Sequence, residues 1–523
     1  MNGHRSGGLP GSRRGWLVCL LVLAGLLAQG WDVRAAGKPI LAHYMPWYVA
    51  RPHSANWGWH WTMNHFNPDV ADETGRRQIA ARHYPVIGPY DSADPVVLEY
   101  HCLLMKLAGI DGVIVDWYGK DEFLDYGLID RRTKLLLAQT QRAGLTFSLC
   151  YEDRTIQAMV DGGYIGATGA IAQAQATMRY AATNYFSAPN HQSLGSRPLL
   201  LNFGPQYFKS GSQWTTIFSV LPASNRPAFF TEDSRVTAAQ GAFNWPPMWQ
   251  SATNNGVVSL EGLEAYLAGF EKAGAGWPAY ISSAFPRFHD IYLEAGLGYT
   301  HGVLDDRAGE TFRSTLRRAL TNSAAAVQLV TWNDFGEGTI LEPTREFGFR
   351  DLVTVQELRR SAVDPGFACR EDDLALPLRL YQLRRQHAAN AVVSAELDRV
   401  FTHLVTGNLA VGRLQLSALE ARMPAIYGAG QAAGQLRFSV GGYLAEGVVE
   451  VQSTPDLRQP DWVTVWTLQA GVSEPVVSLE MPDGAGHSFV RVRVSAAPGG
   501  AAPGVSPEAF RWTAGMRCDV GNF

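Results

Sequence analysis

From residue 38 to about residue 350, short apolar runs alternate with stretches whose apolar residues recur at helical spacing. Residues 39–44 read as a strand. Residues 96–108 place Val97, Leu98, Leu104, Leu107 and Ala108 at helical spacing, and Gly109 follows as a C-terminal cap. Residues 112–115 form a strand, 128–142 a helix closed by Ala143-Gly144, and 145–150 a strand. The alternation continues with a helix over 171–182, strands over 198–201 and 227–230, and a short sixth strand near 241–245. A helix over 260–273, a strand over 279–284, a helix over 311–325 and a last strand over 327–331 complete it. Strands separated by helices predict βα units and a parallel sheet. Eight such units in roughly 300 to 350 residues predict an α/β fold, a (β/α)8 TIM barrel with large loops. A doubly wound open sheet would send its first strand into a glycine-rich phosphate loop. Here that strand runs into Met45-Pro46-Trp47-Tyr48.

The pattern changes after the barrel. Residues 351–410 read as helices, including 378–389 and 395–404. Beyond about residue 412 the alternation has period two, over 436–440, 448–451, 462–468, 476–479 and 489–494, with Gly, Pro and Asp turns between. That predicts a small β-sandwich. Gly428-Ala429-Gly430-Gln431 lacks the flanking strand and helix of a nucleotide loop and reads as linker. The expected organisation is a signal peptide over 1–35, the barrel with trailing helices over 38–410, and a β-sandwich accessory domain over 412–523.

At the N-terminus, Arg5, Arg13 and Arg14 precede an apolar run over 16–28 that is too short to span a bilayer. Cleavage is expected near Ala35, with export to the periplasm or the medium and no membrane span left afterwards. Cys102, Cys150, Cys369 and Cys518 then remain, at spacings that match no metal knuckle. An oxidising compartment allows one or two disulfides among them. Cys102 and Cys150 fall in apolar segments and read as core thiols. The 523 residues are 46% hydrophobic and 18% charged, a globular composition of more than one domain. A net charge of -4 offers no basic surface for a nucleic-acid partner. A monomer is expected.

In a parallel barrel the chemistry lies at the C-terminal ends of the strands. Six strands here end in polar or acidic residues: Asp116-Trp117-Tyr118, Glu152-Asp153, Asn202, Glu232-Asp233, the run to Arg287, His289 and Asp290, and Trp332-Asn333-Asp334. Glycosidic cleavage needs one protonated carboxyl at the leaving oxygen and a second carboxylate as base or nucleophile. Asp334 and Glu337 are three residues apart on a turn carrying Gly336 and Gly338, which lets both face one cleft. Proximity raises one pKa and leaves an acid beside a base. Tyr44, Trp47, Tyr48, Tyr90 and Trp117 are candidate sugar-stacking residues. Asp116, Glu152, Asn202, Trp332 and Asn333 are further candidate substrate contacts. His43 reads as a buried, paired histidine. His53, His60 and His65 with Trp57, Trp59 and Trp61 read as a binding loop whose spacing matches no metal site. No metal and no cofactor are expected.

Thr331-Trp332-Asn333-Asp334-Phe335-Gly336-Glu337-Gly338-Thr339-Ile340-Leu341-Glu342-Pro343 resembles the segment after the last barrel strand in glycoside hydrolase families 71 and 99. Its Trp-Asn-Asp-aromatic-Gly-Glu core is similar to family 71, and its Gly-Thr-x-x-Glu-Pro tail to family 99. Ala42-His43-Tyr44-Met45-Pro46-Trp47-Tyr48, Gly88-Pro89-Tyr90-Asp91-Ser92-Ala93-Asp94-Pro95 and Ala108-Gly109-Ile110-Asp111-Gly112 with Asp116-Trp117-Tyr118 resemble family 99 segments. The resemblance covers residues 38–350. It implies a secreted hydrolase of α-linked polysaccharide or oligosaccharide, α-mannan-like as in family 99 or α-glucan-like as in family 71. In family 99 one carboxylate acts as base on the neighbouring 2-hydroxyl, giving an anhydro sugar. The other is the acid/base at the glycosidic oxygen. The resemblance assigns these roles to Asp334, where family 99 has Glu, and to Glu337. The alternative is a non-catalytic glycan-binding barrel, which would tolerate loss of one acid; this chain carries both.

Overall fold

The computed structural model describes residues 37–422 without a break and, beyond them, eight strands between 424 and 522. The expected signal peptide with its cleavage near Ala35, and Cys518, lie outside the described residues.

Eight parallel strands close on themselves. They are β1 (Ile40–Tyr44), β2 (Gly112–Trp117), β3 (Thr146–Tyr151), β4 (Arg197–Asn202), β5 (Ala228–Glu232), β6 (Gly241–Phe243), β7 (Ile281–Ala284) and β8 (Ala326–Leu329). Each pairs with the next, and β8 pairs with β1 through Ile40↔Val327, Leu41↔Gln328 and Ala42↔Leu329. The short β6 joins β7 at the single register pair Phe243↔Ile281. The predicted (β/α)8 barrel is thus the observed one. Closure leaves no sheet edge, and every strand residue from Ile40 to Tyr44 and from Gly112 to Trp117 is buried.

Local signals set the first helices. In α1 (Pro95–Ala108), Asp94 accepts from Val96 N, Pro95 occupies the first turn and Gly109 ends the helix at φ 86°. α2 (Tyr126–Ala143) ends on Gly144 at φ 66° in the same way. The helix expected over 311–325 stops earlier, as Glu310–Thr321. Asn322 turns to ψ -177°, and its side-chain oxygen accepts from Ala324 N, a local bond that competes with the helix. Cys102, Cys150 and Cys369 are buried free thiols.

After the barrel, the helix Leu409–Glu420 packs Leu416 and Leu419 against Leu380, Leu397 and Leu404 of the preceding helices. Two antiparallel sheets follow, one of three strands and one of five. The segment Gly428-Ala429-Gly430-Gln431, expected as linker, lies inside the strand Pro424–Ala432, whose register slips between Tyr427 and Gly430. A bulge there explains the small residues that hid the strand. Among the described residues, no helix is long and apolar enough to cross a membrane.

Candidate active site

A cavity of about 520 Å³ opens at the C-terminal ends of the strands, and Asp116, Glu152, Asp334 and Glu337 line it. A larger cavity, about 990 Å³, lies at the opposite ends, beside Pro39, Asp111 and Thr146. Its acids are partnered: Asp111 accepts from Arg359 at 2.9 Å and from Ile40 N at 2.9 Å, and Asp364 accepts from Gly366 N at 3.0 Å. Chemistry, not volume, distinguishes the two.

Strand alternation aims the acids. On β2, Asp116 faces the cavity and Trp117 therefore points outward, where its Nε1 donates to Asp130 at 3.1 Å among Tyr151, Tyr180 and Tyr185. At the tip of β3, Glu152 turns in. Asp153 turns back to accept from the backbone N–H groups of Gln206, Tyr207 and Phe208 at 2.8, 2.7 and 2.7 Å.

The turn after β8 is held on every side. Asp334 N donates to Thr331 Oγ1 at 2.8 Å, and Glu337 N donates to Asp334 Oδ1 at 3.0 Å. His289 N donates to Glu337 O at 2.9 Å and Ile291 N to Gly336 O at 3.0 Å, which joins the turn to the loop after β7. Gly338, at φ 71°, passes so close to His289 that a Cβ there would lie 2.7 Å from its carbonyl oxygen. On the other side Asn333 clamps Met45, accepting from its N–H at 2.8 Å and donating to its C=O at 3.0 Å. Tyr48 OH donates to Asn333 O at 2.8 Å and accepts from Phe335 N at 3.0 Å.

Of the twelve residues expected from sequence, six line the cavity: Asp334, Glu337, Asp116, Glu152, Trp47 and Tyr48. The other six are corrected. Tyr44, Tyr90, Trp117, Asn202, Trp332 and Asn333 are buried in the wall and do not line the cavity. Tyr44 and Trp117 sit on the outward phase of their strands. Tyr44 OH bonds His101 Nδ1 at 2.9 Å, His101 Nε2 lies 3.2 Å from Glu342, and Tyr90 OH donates to Glu342 at 2.7 Å. Asn333 also donates to Tyr90 OH at 3.1 Å, so this buried chain of groups ends on the acid turn. Asn202 donates to Asp153 at 3.3 Å, and Trp332 packs edge-on against His101. These six frame the site.

The expected binding loop delivers Trp59 and His60 to the cavity, whereas Trp61 is buried and donates from Nε1 to Tyr90 O at 2.8 Å. Met63, Arg154, Gln206, Met248, Tyr292 and His301 also line it, and sequence reasoning missed them. The length of the loop between β7 and the next helix was the available signal for Tyr292 and His301.

Burial raises the pKa of all four cavity acids. Asp334 is pushed up to about 6, held back by the N–H groups of Glu337 and Gly336 that favour its charge. Glu337 lies well above the usual carboxyl range, through burial and then the charge of Asp334, and its Oε2 is buried without a hydrogen-bond partner. Asp116 is raised likewise, through burial and then Glu152 and Asp334; Glu152 rises to about 7, chiefly by burial. Within the turn, backbone N–H groups favour the charge of Asp334, while the charge of Asp334 disfavours that of Glu337, the kind of division acid/base chemistry needs.

Residues suited to hold a cation lie at and just behind the cavity wall. His43, Asp116 and Cys150 bring one ligand atom each within 4.8 Å of one another. Burial, then the charge of Asp116, keeps Cys150 a thiol, so a metal there would have to displace its proton. His43 is buried as expected, but the expected pairing is missing at its Nδ1, which has no hydrogen-bond partner.

No family model matches the chain. Over 86 residues it is 30% identical to the glycoprotein endo-alpha-1,2-mannosidase-like protein of Homo sapiens. Over 95 residues it is 32% identical to the glycoprotein endo-alpha-1,2-mannosidase of Mus musculus. These stretches are 15% and 16% of this chain and 19% and 20% of the relatives, so the chain spans about a fifth of the length of the curated relatives it matches. Among solved structures it is similar to the GH99 endo-alpha-mannosidase from Bacteroides thetaiotaomicron, with a TM-score of 0.46 and 18% identity over 62% of this chain and 98% of that one. The complex of that endo-alpha-mannosidase with bis-tris propane gives a TM-score of 0.47 and 16% identity over 62% and 97%. These relatives and solved structures are endo-α-mannosidases or endo-α-mannosidase-like, one side of the resemblance to families 71 and 99 that the motifs carry.

Proposed function

We propose that this protein is an exported glycoside hydrolase that cleaves an α-linked glycan, α-mannan-like or α-glucan-like, with Asp334 and Glu337 as its working carboxyls. The observation that carries the reading is the asymmetry inside the acid turn: Asp334 accepts a backbone N–H, while Glu337 keeps a buried, unpartnered oxygen. A proton on Glu337 is therefore available to a bound glycosidic oxygen, and Asp334 is available as base.

Following the roles the resemblance implies, Asp334 removes the proton of the 2-hydroxyl as its oxygen attacks C1. The C1–O bond breaks, and Glu337 gives its proton to the departing oxygen. In the second half Glu337 takes a proton from the water that attacks C1, the C1–O2 bond of the anhydro sugar breaks, and Asp334 returns the first proton to the departing 2-oxygen. Asp116 and Glu152 stand by to bond sugar hydroxyls. Trp47 and Tyr48 supply ring faces and edges beside the acids.

The test is a panel of α-mannans, α-1,3-glucans and their oligosaccharides with product analysis. Release of reducing ends from one class supports the reading and names the sugar; no release from any overturns it. N-terminal sequencing of protein recovered outside the cytoplasm tests export, with a new terminus near residue 36 expected.

A further inference from the structure

Two rows of aromatic rings climb out of the cavity, one on each side of the acid turn. On the loop after β1, Trp47 stacks on His60 with centroids 4.1 Å apart and planes within 6°, and His60 meets Trp59 edge-on at 5.1 Å. All three line the cavity, and Trp59 is 43% exposed. On the loop after β7, Tyr292 and His301 line the cavity and lie 5.9 Å apart. Each lies 5.4 Å from Tyr299, which is 49% exposed and stands outside the cavity. The acid turn follows β8, which pairs with β1 on one side and β7 on the other, so the two loops flank it, and a methyl group on Gly336 would come within 3.0 Å of Met63 Cε from the first loop and 3.6 Å of Tyr292 from the second.

The outer rings are held in place. Asp290 accepts from His301 N at 2.7 Å and from Thr300 Oγ1 at 2.9 Å, and Ser251 Oγ donates to His301 O at 2.6 Å. On the other loop, Trp61 N donates to Gly58 O at 3.1 Å and Ala80 N to Trp61 O at 2.8 Å, which fixes the turn carrying Trp59. A scattered exposed aromatic means little. Two unbroken rows that start inside one cavity and end in solvent form continuous surfaces of ring faces and edges, and ordered rings bind at low entropic cost.

We propose that Trp59 and Tyr299 are outer sugar-stacking positions of a track that leaves the cavity on both sides of the acid turn, so that the ligand is a neutral glycan chain longer than the cavity holds. This rests on the glycan reading above. The C–H faces of pyranose rings match aromatic faces, and a repeating polymer presents one to each row. Charge decides between neutral and anionic polymers. A polyuronate needs several cations along its path, and Arg154 is the one guanidinium lining the cavity.

The experiment compares full-length wild type, W59A/Y299A and W59F/Y299F on neutral α-mannan and α-1,3-glucan and on short oligosaccharides of the same linkage, with thermal melts to confirm folding. For W59A/Y299A the ratio of polymer to short-oligosaccharide kcat/KM should fall about tenfold, mainly through KM, with W59F/Y299F close to wild type. An unchanged ratio, or equal losses on short and long substrates, overturns the track and leaves the hydrolase reading standing. If wild type cleaves nothing, the hydrolase reading fails. Affinity electrophoresis in the same polymers then reads the track alone: retardation of wild type lost in W59A/Y299A supports it, and retardation equal in both, or seen in neither, overturns it.

Discussion

Two sets of acids occupy the same end of the barrel and live under opposite rules. In the wall, Asp91 accepts from Ala50 N, Ala93 N, Ser54 and Arg132, and Asp153 accepts from three backbone N–H groups and Asn202. In the cavity, Glu337 Oε2 is buried without a hydrogen-bond partner, and Asp334 accepts the N–H of Glu337. Glu152 and Asp153 are neighbours in the chain and fall on opposite sides of this divide. The lesson is that burial alone does not mark a working acid. A carboxylate wrapped in donors is a structural anchor, and one short of donors is held in readiness to exchange a proton.

This contrast predicts that changes in the cavity set cost activity and changes in the wall set cost stability. The largest effect is expected at Asp334. Asp334→Asn keeps an oxygen for the N–H of Glu337 but loses the base, so kcat should fall about 10³-fold with the thermal melt little changed. Next comes the wall. Asp153→Ala strands three backbone N–H groups, and urea unfolding should show a loss of about 3 kcal/mol, with activity per folded molecule much less affected.

Glu152→Gln should act in the opposite sense on stability. The folded-state pKa of Glu152 is raised from its ordinary value to about 7. Between those values the unfolded chain has released the proton and the folded chain has not, so wild-type stability falls as pH rises through that window. The variant removes this term. It should be more stable than wild type above pH 7, by up to about 3 kcal/mol, and gain nothing below pH 4. Denaturation midpoints at the two pH values check the sign. The smallest effect is expected at Tyr48→Phe, which removes the bond to Asn333 O that braces the turn. A stability loss of about 1 kcal/mol with a several-fold drop in kcat/KM is expected.

The βα alternation was legible from residue 39 onward because each strand is a short apolar run and several helices end at glycines such as Gly109 and Gly144. The pairing of Asp334 with Glu337 on one turn was legible too, since it is local. What was hidden depends on contacts between distant residues. Nothing near Tyr90 announces that its hydroxyl meets Glu342, and nothing near Asn333 announces Met45. Tyr44 and Trp117 could have been separated from His43 and Asp116 by strand alternation, because neighbours on a strand face opposite sides. The linker reading of residues 428–431 failed because a bulged strand of small residues lacks the branched side chains that mark a strand.

The most direct test of the central claim is kcat/KM of Glu337→Gln against wild type on whichever α-glycan the wild type cleaves, with circular dichroism alongside. The account predicts an unchanged fold and a loss of about 10³-fold, because the glutamine has no proton to give the leaving oxygen. Activity within a few-fold of wild type would contradict it.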